Sequence, residues 1–258
     1  MVTRTKTVYN IKNFPDIKSR LFAWSAQFSP VAWLDSNDYP HHHNAYDAIL
    51  AVGMHPQAQW LNSYNALQNA VGDDWLFGFF SYEFSNAWEQ IVPINPAYIS
   101  VPKLQFFNPE KIWLLQGDTL TALYSSDANA DEDFAQLVST PPLDFTESKA
   151  IDLKPRISKS DYLQHATALQ QHILRGDIYE VNYCMEWFAE NVEVLPHQFF
   201  NALNSISKTP FAAYLSMKNV HLMCASPERF LSRKGTHVFS QPIKGTAARH
   251  TDEFLDKA

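Results

Sequence analysis

Apolar positions recur in two periods along the chain, and each period predicts a kind of element. Tyr162, Ala166, Leu169 and Ile173 follow one another at steps of four, three and four, the spacing that lines one face of an α-helix. Ser160 stands where an N-cap is expected, and Gly176 where the last turn unwinds through a left-handed residue. From Ile178 to Glu190 the period changes to two. Tyr179, Val181, Tyr183, Met185 and Trp187 share one side of this segment, with Glu180, Asn182, Cys184 and Glu186 on the other. That alternation predicts a strand with one buried face.

Shorter apolar runs bounded by turn residues predict the remaining elements. Trp75 to Phe84 follows Gly72-Asp73-Asp74 and reads as a buried strand. Ile112–Leu115 and Leu120–Leu123 flank Gln116-Gly117-Asp118-Thr119, a hairpin pattern. Phe211–Met217 and Val220–Ala225 flank Lys218-Asn219, and Phe230–Ser232 and His237–Ile243 flank Arg233-Lys234-Gly235-Thr236, giving two more hairpins. Pro196 suits a first helical turn and opens a short helix through Phe199, Phe200 and Leu203. Between 139 and 157, Ser139-Thr140-Pro141-Pro142 leads into a polar stretch ending at Lys154-Pro155-Arg156, a connector rather than a core element. It divides the chain into an N-terminal region, 1–140, and a second region, 155–258. Successive antiparallel strands accompanied by helices predict an α+β fold, a layered sandwich of largely antiparallel sheets with outer helices.

Composition narrows the function classes. Of 258 residues, 46% are hydrophobic and 14% aromatic, enough to fill a sizeable core. A net charge of -7 gives no electrostatic case for nucleic acid or an anionic membrane as partner. Met1 to Arg20 has no apolar stretch of signal-peptide type, and Leu21 to Leu34 is too short and polar to span a bilayer. The expected location is the cytoplasm. Cys184 and Cys224, the two cysteines, are expected to be reduced and buried, and cannot alone build a disulfide framework or zinc site. His41-His42-His43 has no acidic or thiol partner at ligand spacing and reads as a solvated loop. No glycine-rich phosphate loop follows any predicted strand.

Three strings carry more specific chemistry: Gly176-Asp177-Ile178-Tyr179-Glu180-Val181-Asn182, Ala225-Ser226-Pro227-Glu228-Arg229-Phe230-Leu231, and Gln241-Pro242-Ile243-Lys244-Gly245-Thr246. Their order and spacing resemble the chorismate-utilising enzymes, most closely the aminodeoxychorismate synthase component I branch. The resemblance is strong from Tyr162 onward. It reaches back to Leu34-Asp35-Ser36 and Tyr46-Asp47-Ala48-Ile49-Leu50. Lys244 points to this branch, because anthranilate synthases carry alanine there. The resemblance implies that Lys244 attacks chorismate at C2 as the C4 hydroxyl leaves, after which ammonia adds at C4 and expels the lysine. The product is 4-amino-4-deoxychorismate, a precursor of para-aminobenzoate and folate. A lysine nucleophile has to shed its proton, which burial or a neighbouring cation favours.

Glu228, 16 positions before Lys244, is the implied general acid. Hydroxide is a poor leaving group, so a placed carboxylic acid has a clear task. Gly245 and Thr246 are expected to hold a chorismate carboxylate through N–H and hydroxyl donors. The family pattern also places a tryptophan pocket at Ser36, His43, Asn44, Ala45, Tyr46, Pro210, Phe211 and Ala212. Ala45 stands where relatives have arginine.

The implied cofactor is Mg²⁺, with ligands expected in a C-terminal part that this sequence lacks and no metal ligand within 1–258. The expected partners are chorismate, a glutamine amidotransferase subunit supplying ammonia, and tryptophan. The sequence reads as the N-terminal and early catalytic portions of a longer enzyme. Taken alone, these 258 residues are expected to leave strands unpaired, to be aggregation-prone and not to convert chorismate. Two alternatives stay open: an anthranilate synthase component I, and a truncated non-catalytic relative that binds tryptophan or the amidotransferase subunit.

Overall fold

The structure, a computed structural model, describes residues 3–39, 46–72, 74–89, 91–92, 94, 96–125, 128–143 and 150–243. The chain forms two compact units. One joins Met1–Asp144 to Pro196–Ala258, and the other is Phe145–Leu195.

The first unit runs β1 (Thr5–Asn10), α1 (Ile17–Trp24), β2 (Val31–Asp35), β3 (Ala48–Met54), α2 (Tyr64–Ala70), β4 (Phe77–Phe80), the single turn α3 (Asn86–Glu89), β5 (Leu104–Phe107), β6 (Pro109–Gln116), β7 (Thr119–Tyr124) and α4 (Ala130–Ser139). The second unit holds β8 (Lys154–Pro155), α5 (Lys159–Arg175) and β9 (Trp187–Phe188). The chain then returns to the first unit through α6 (Pro196–Ser207), β10 (Phe211–Met217), β11 (Val220–Ser226), β12 (Arg229–Lys234) and β13 (His237–Gln241).

Seven strands of the first unit form one sheet in the order β1-β7-β6-β3-β2-β10-β11, with every neighbouring pair antiparallel. Alternation along the strands sends side chains to two different cores. Trp33, Leu50, Trp113 and Tyr214 pack with Phe22 of α1, Leu137 of α4 and Phe200 of α6. Ala32, Ala51, Ile112, Leu114, Leu215 and Met217 pack on the other face against Phe77 and Phe107 of the two-stranded β4–β5 sheet. The result is the α+β layered arrangement that the strand and helix pattern predicts. Arg4 fastens one margin of the large sheet: its side chain is 7% exposed, pairs with Asp74 at 2.7 Å, and donates to the carbonyls of Pro109, Glu110 and Leu123.

The three predicted hairpins form β6–β7, β10–β11 and β12–β13. Gly117, at φ 52°, occupies the left-handed position in the β6–β7 turn, and its N–H donates to Asp47. The predicted strand at Trp75–Phe84 is shorter than expected. Only Phe77–Phe80 pairs, with β5, and Tyr82–Ser85 turns into a 3₁₀ helix. Only Phe77 of this strand is fully buried, since aromatic density marks a core-facing segment without fixing how far its backbone finds a ladder partner.

In the second unit α5 forms and ends at Gly176 (φ 80°) as the pattern predicts. Its N-cap, however, is Ser158 rather than Ser160: the Ser158 hydroxyl accepts the Asp161 N–H at 3.1 Å, so the helix starts one residue earlier than Ser160. The strand expected over Ile178–Glu190 reduces to Trp187–Phe188, paired with Lys154–Pro155. Its supposed buried face is largely open, with Tyr179 76% and Trp187 54% exposed. Within this unit Tyr183 stacks on Tyr162 at 4.9 Å and hydrogen-bonds His165 at 2.7 Å, while among the described residues the rest of the segment joins no ladder.

Candidate active site

The chain turns sharply where β11 ends. Ser226 pairs with Phe211 across the β10–β11 ladder. Its hydroxyl then accepts the N–H of Glu228 at 3.2 Å and donates to the Glu228 carbonyl at 3.0 Å. A serine followed by proline favours such a local turn, since the hydroxyl satisfies backbone groups that a ladder no longer reaches. Pro227 cannot donate an N–H, which helps end β11 at this point.

Beyond the turn, β12 and β13 run antiparallel and pair Arg229 with Gln241. This register sets the two chemical strings side by side. The half-buried Glu228 carboxylate reaches across and accepts the backbone N–H of Ile243 through Oε1 at 3.0 Å. Ile243 immediately precedes Lys244. Lys244, Gly245 and Thr246 lie outside the described residues. The Arg229 guanidinium lies 4.9 Å from the centre of the Phe211 ring, a cation–π contact that joins the hairpin to the start of β10. Within the hairpin Phe230, Leu231 and Val238 are exposed.

The residues of the tryptophan-pocket pattern fall in two groups. Asp35 pairs with Ala212 across β2 and β10, which brings Ser36 beside Phe211 and Pro210 at one end of the two strands. The Ser36 hydroxyl is buried and donates to the Asp47 carbonyl at 2.9 Å. Half-buried Tyr46 packs against the core that Ala32 and Leu215 share. His43, Asn44 and Ala45 lie outside the described residues, as do His41 and His42.

The opposite face of the sheet carries groups that, Asp35 apart, no sequence pattern pointed to. A cleft of about 370 Å³ there is bordered by Lys18, Trp33, Asp35, Asn204 and Lys208. Lys18 bridges Asp35 at 3.1 Å and Asp38 at 2.7 Å. Deeper on the same face His197 meets the Ser25 hydroxyl through Nε2 and the Tyr214 hydroxyl through Nδ1, both at 3.2 Å, and Tyr214 also meets His221 at 3.3 Å. Burial, with His221 adding to it, pushes His197 down to about 4. Ser25 and His197 are 172 positions apart, so nothing local in the sequence pairs them.

Neither cysteine is in a disulfide. The expectation that both are buried is corrected: Cys184 is exposed and Cys224 half-buried, because the segment around Cys184 forms no ladder and so gains no sheet to bury its side chains. Burial pushes the Cys224 thiol up, leaving it a weak nucleophile. Among the described residues no group of three or more His, Cys, Asp or Glu side chains could hold a metal ion. The Mg²⁺ implied by the sequence resemblance therefore has no donor set among them. Among the same residues no helix is long and apolar enough to cross a membrane.

Residues 29–258 match the family model of chorismate binding enzymes, and the chain belongs to that family. It is 24% identical over 202 residues to an aminodeoxychorismate synthase component 1 of Bacillus subtilis, covering 70% of this chain and 41% of that protein. It is 27% identical over 190 residues to an anthranilate synthase component 1 of Thermus thermophilus, again covering 70% and 41%. The chain thus spans about two-fifths of the length of these relatives. Among solved structures, the menaquinone-specific isochorismate synthase of Escherichia coli aligns over 99% of this chain and 58% of its own, with a TM-score of 0.52 and 13% identity. That likeness extends to the fold.

Proposed function

We propose that the chain is part of an aminodeoxychorismate synthase component I, which aminates chorismate at C4 with Lys244 as nucleophile and Glu228 as general acid. The observation that supports this reading is the hydrogen bond from Ile243 N–H to Glu228 Oε1, which ties the acid to the residue next to the nucleophile. An acid and a nucleophile working on one ring need this closeness, because positioning supplies much of the rate.

In the proposed reaction the neutral Lys244 amine forms a bond to C2 and the two conjugated ring double bonds shift toward C4. The C4–O bond breaks, with the proton from Glu228 leaving in the water formed. Ammonia then bonds to C4, both double bonds shift back and the C2–N bond to lysine breaks. The ammonium proton returns to the Glu228 carboxylate, which restores the acid. The sum is chorismate plus ammonia giving 4-amino-4-deoxychorismate plus water. Gly245 and Thr246 hold a substrate carboxylate, a glutamine amidotransferase supplies the ammonia, and Mg²⁺ is held by groups other than the described residues.

The test is product analysis with chorismate, an ammonium salt and Mg²⁺, using the protein purified from its native cells. Formation of 4-amino-4-deoxychorismate supports the proposal. Anthranilate as the product transfers the chain to that branch, and no turnover with retained tryptophan binding makes it a binding protein.

A further inference from the structure

We infer that Ser226 is the positioning residue for Glu228, and that it fixes the carboxyl so that Oε2 carries the proton. The inference rests on the reading of Glu228 as an acid. Ser226 engages both backbone polar groups of Glu228, accepting its N–H and donating to its carbonyl. One hydroxyl thereby fixes the backbone of Glu228 on both sides, and with it the direction in which Cα–Cβ leaves the chain. The serine is itself anchored, because its backbone stands opposite Phe211 in the β10–β11 ladder and the Phe211 ring carries the Arg229 guanidinium. The turn is therefore held from the sheet on one side and from the hairpin on the other.

The carboxyl end is held separately. Ile243 N–H donates to Oε1. A protonated carboxyl has one carbonyl oxygen that only accepts and one hydroxyl that donates. An oxygen that faces an N–H donor is the acceptor, so the hydroxyl is on Oε2. The same contact persists when the proton has left, since a carboxylate accepts equally well. Glu228 thus gives up and regains its proton without turning about its last bond, and the loss of Ser226 costs this alignment rather than the acid itself.

The experiment is amide hydrogen exchange followed by NMR on the 258-residue chain. Wild type, Ser226→Ala, Ser226→Thr, Glu228→Ala and Glu228→Gln are compared at Ile243, with Leu215 and Leu222 in the β10–β11 ladder as internal controls. Loss of a single hydrogen bond corresponds to about tenfold in protection. The expected result is about tenfold faster exchange at Ile243 in Ser226→Ala and Glu228→Ala and wild-type exchange in Ser226→Thr and Glu228→Gln, with the two leucines unchanged throughout. Unchanged Ile243 exchange in Ser226→Ala overturns the positioning role, and unchanged exchange in Glu228→Ala overturns the tether it depends on. Failure of the acid reading itself registers elsewhere, as product formation that survives Glu228→Gln.

Discussion

The Glu228 carboxylate oxygen Oε1 lies 3.0 Å from the backbone nitrogen of Ile243, the residue just before Lys244. The contact closes the open end of the β12–β13 hairpin and gives two otherwise separate strings a common location. A mutation at Glu228 can therefore remove two separate things, the tether and the proton of the proposed reaction.

Glu228→Gln keeps a carbonyl oxygen for the Ile243 N–H but has no proton to give. Product formation from chorismate and ammonia is expected to fall by about 100-fold or more, with the melting temperature unchanged. Glu228→Ala is expected to lose the same activity and, in addition, some thermal stability. Steady-state kinetics and calorimetry on both variants check this.

Lys244→Ala removes the amine that bonds to C2 in the proposed reaction. Formation of 4-amino-4-deoxychorismate is expected to drop to background, and mass spectrometry of the wild type quenched during turnover is expected to show a substrate adduct that the variant lacks. Amination that continues in the variant argues for the anthranilate branch.

His197 predicts an acid-side loss of stability. Its folded value is lowered to about 4, against about 6.5 for a free imidazole. The unfolded chain therefore binds more protons between those values, so stability is full above about pH 6.5 and declines as pH falls toward 4. The expected loss is about 2 kcal/mol, reduced from the full linkage because the ring is partly open to water. Urea unfolding at pH 7 and pH 4.5 measures it. His197→Phe keeps the ring against Phe22 and Tyr214 and is expected to flatten this part of the profile.

Arg4 and Asp74 are each 7% exposed at the side chain, and three carbonyls share the guanidinium. Arg4→Ala takes the countercharge from the buried Asp74 carboxylate, which keeps Asn108 as a donor, and one donor from each of the three carbonyls, at a cost of about 3–5 kcal/mol. Arg4→Lys is expected to recover little of it, because an ammonium cannot span that planar set of acceptors. Equilibrium denaturation of the two variants gives the comparison.

What the sequence made legible was whatever rests on neighbours in the chain. Gly117 between two apolar runs predicts β6–β7, Lys218-Asn219 predicts β10–β11, and the four-three-four spacing with Gly176 predicts α5. These patterns work because turn geometry and helix periodicity are local properties. The chain's kinship with the chorismate binding enzymes was legible too, through its three strings. The same local logic overreached at Ile178–Glu190. Alternation describes a surface ready to be buried, but a strand also needs a partner ladder, and among the described residues only Trp187–Phe188 finds one.

Tertiary structure alone decided the rest. It brought Ser25 to His197 across 172 positions, set Ser36 beside Phe211 through the β2–β10 register, and placed the Lys18 cleft on the opposite face of the same sheet. It also set the Glu228 carboxylate against the Ile243 N–H. Each of these depends on which strands are neighbours and in which register. The energy that selects a register comes from burying whole faces such as Trp33, Trp113 and Tyr214 together. No short window of sequence contains that sum, so the sequence determined the local turns, the helix periodicity and the family, while the packing of the seven-stranded sheet determined which residues meet.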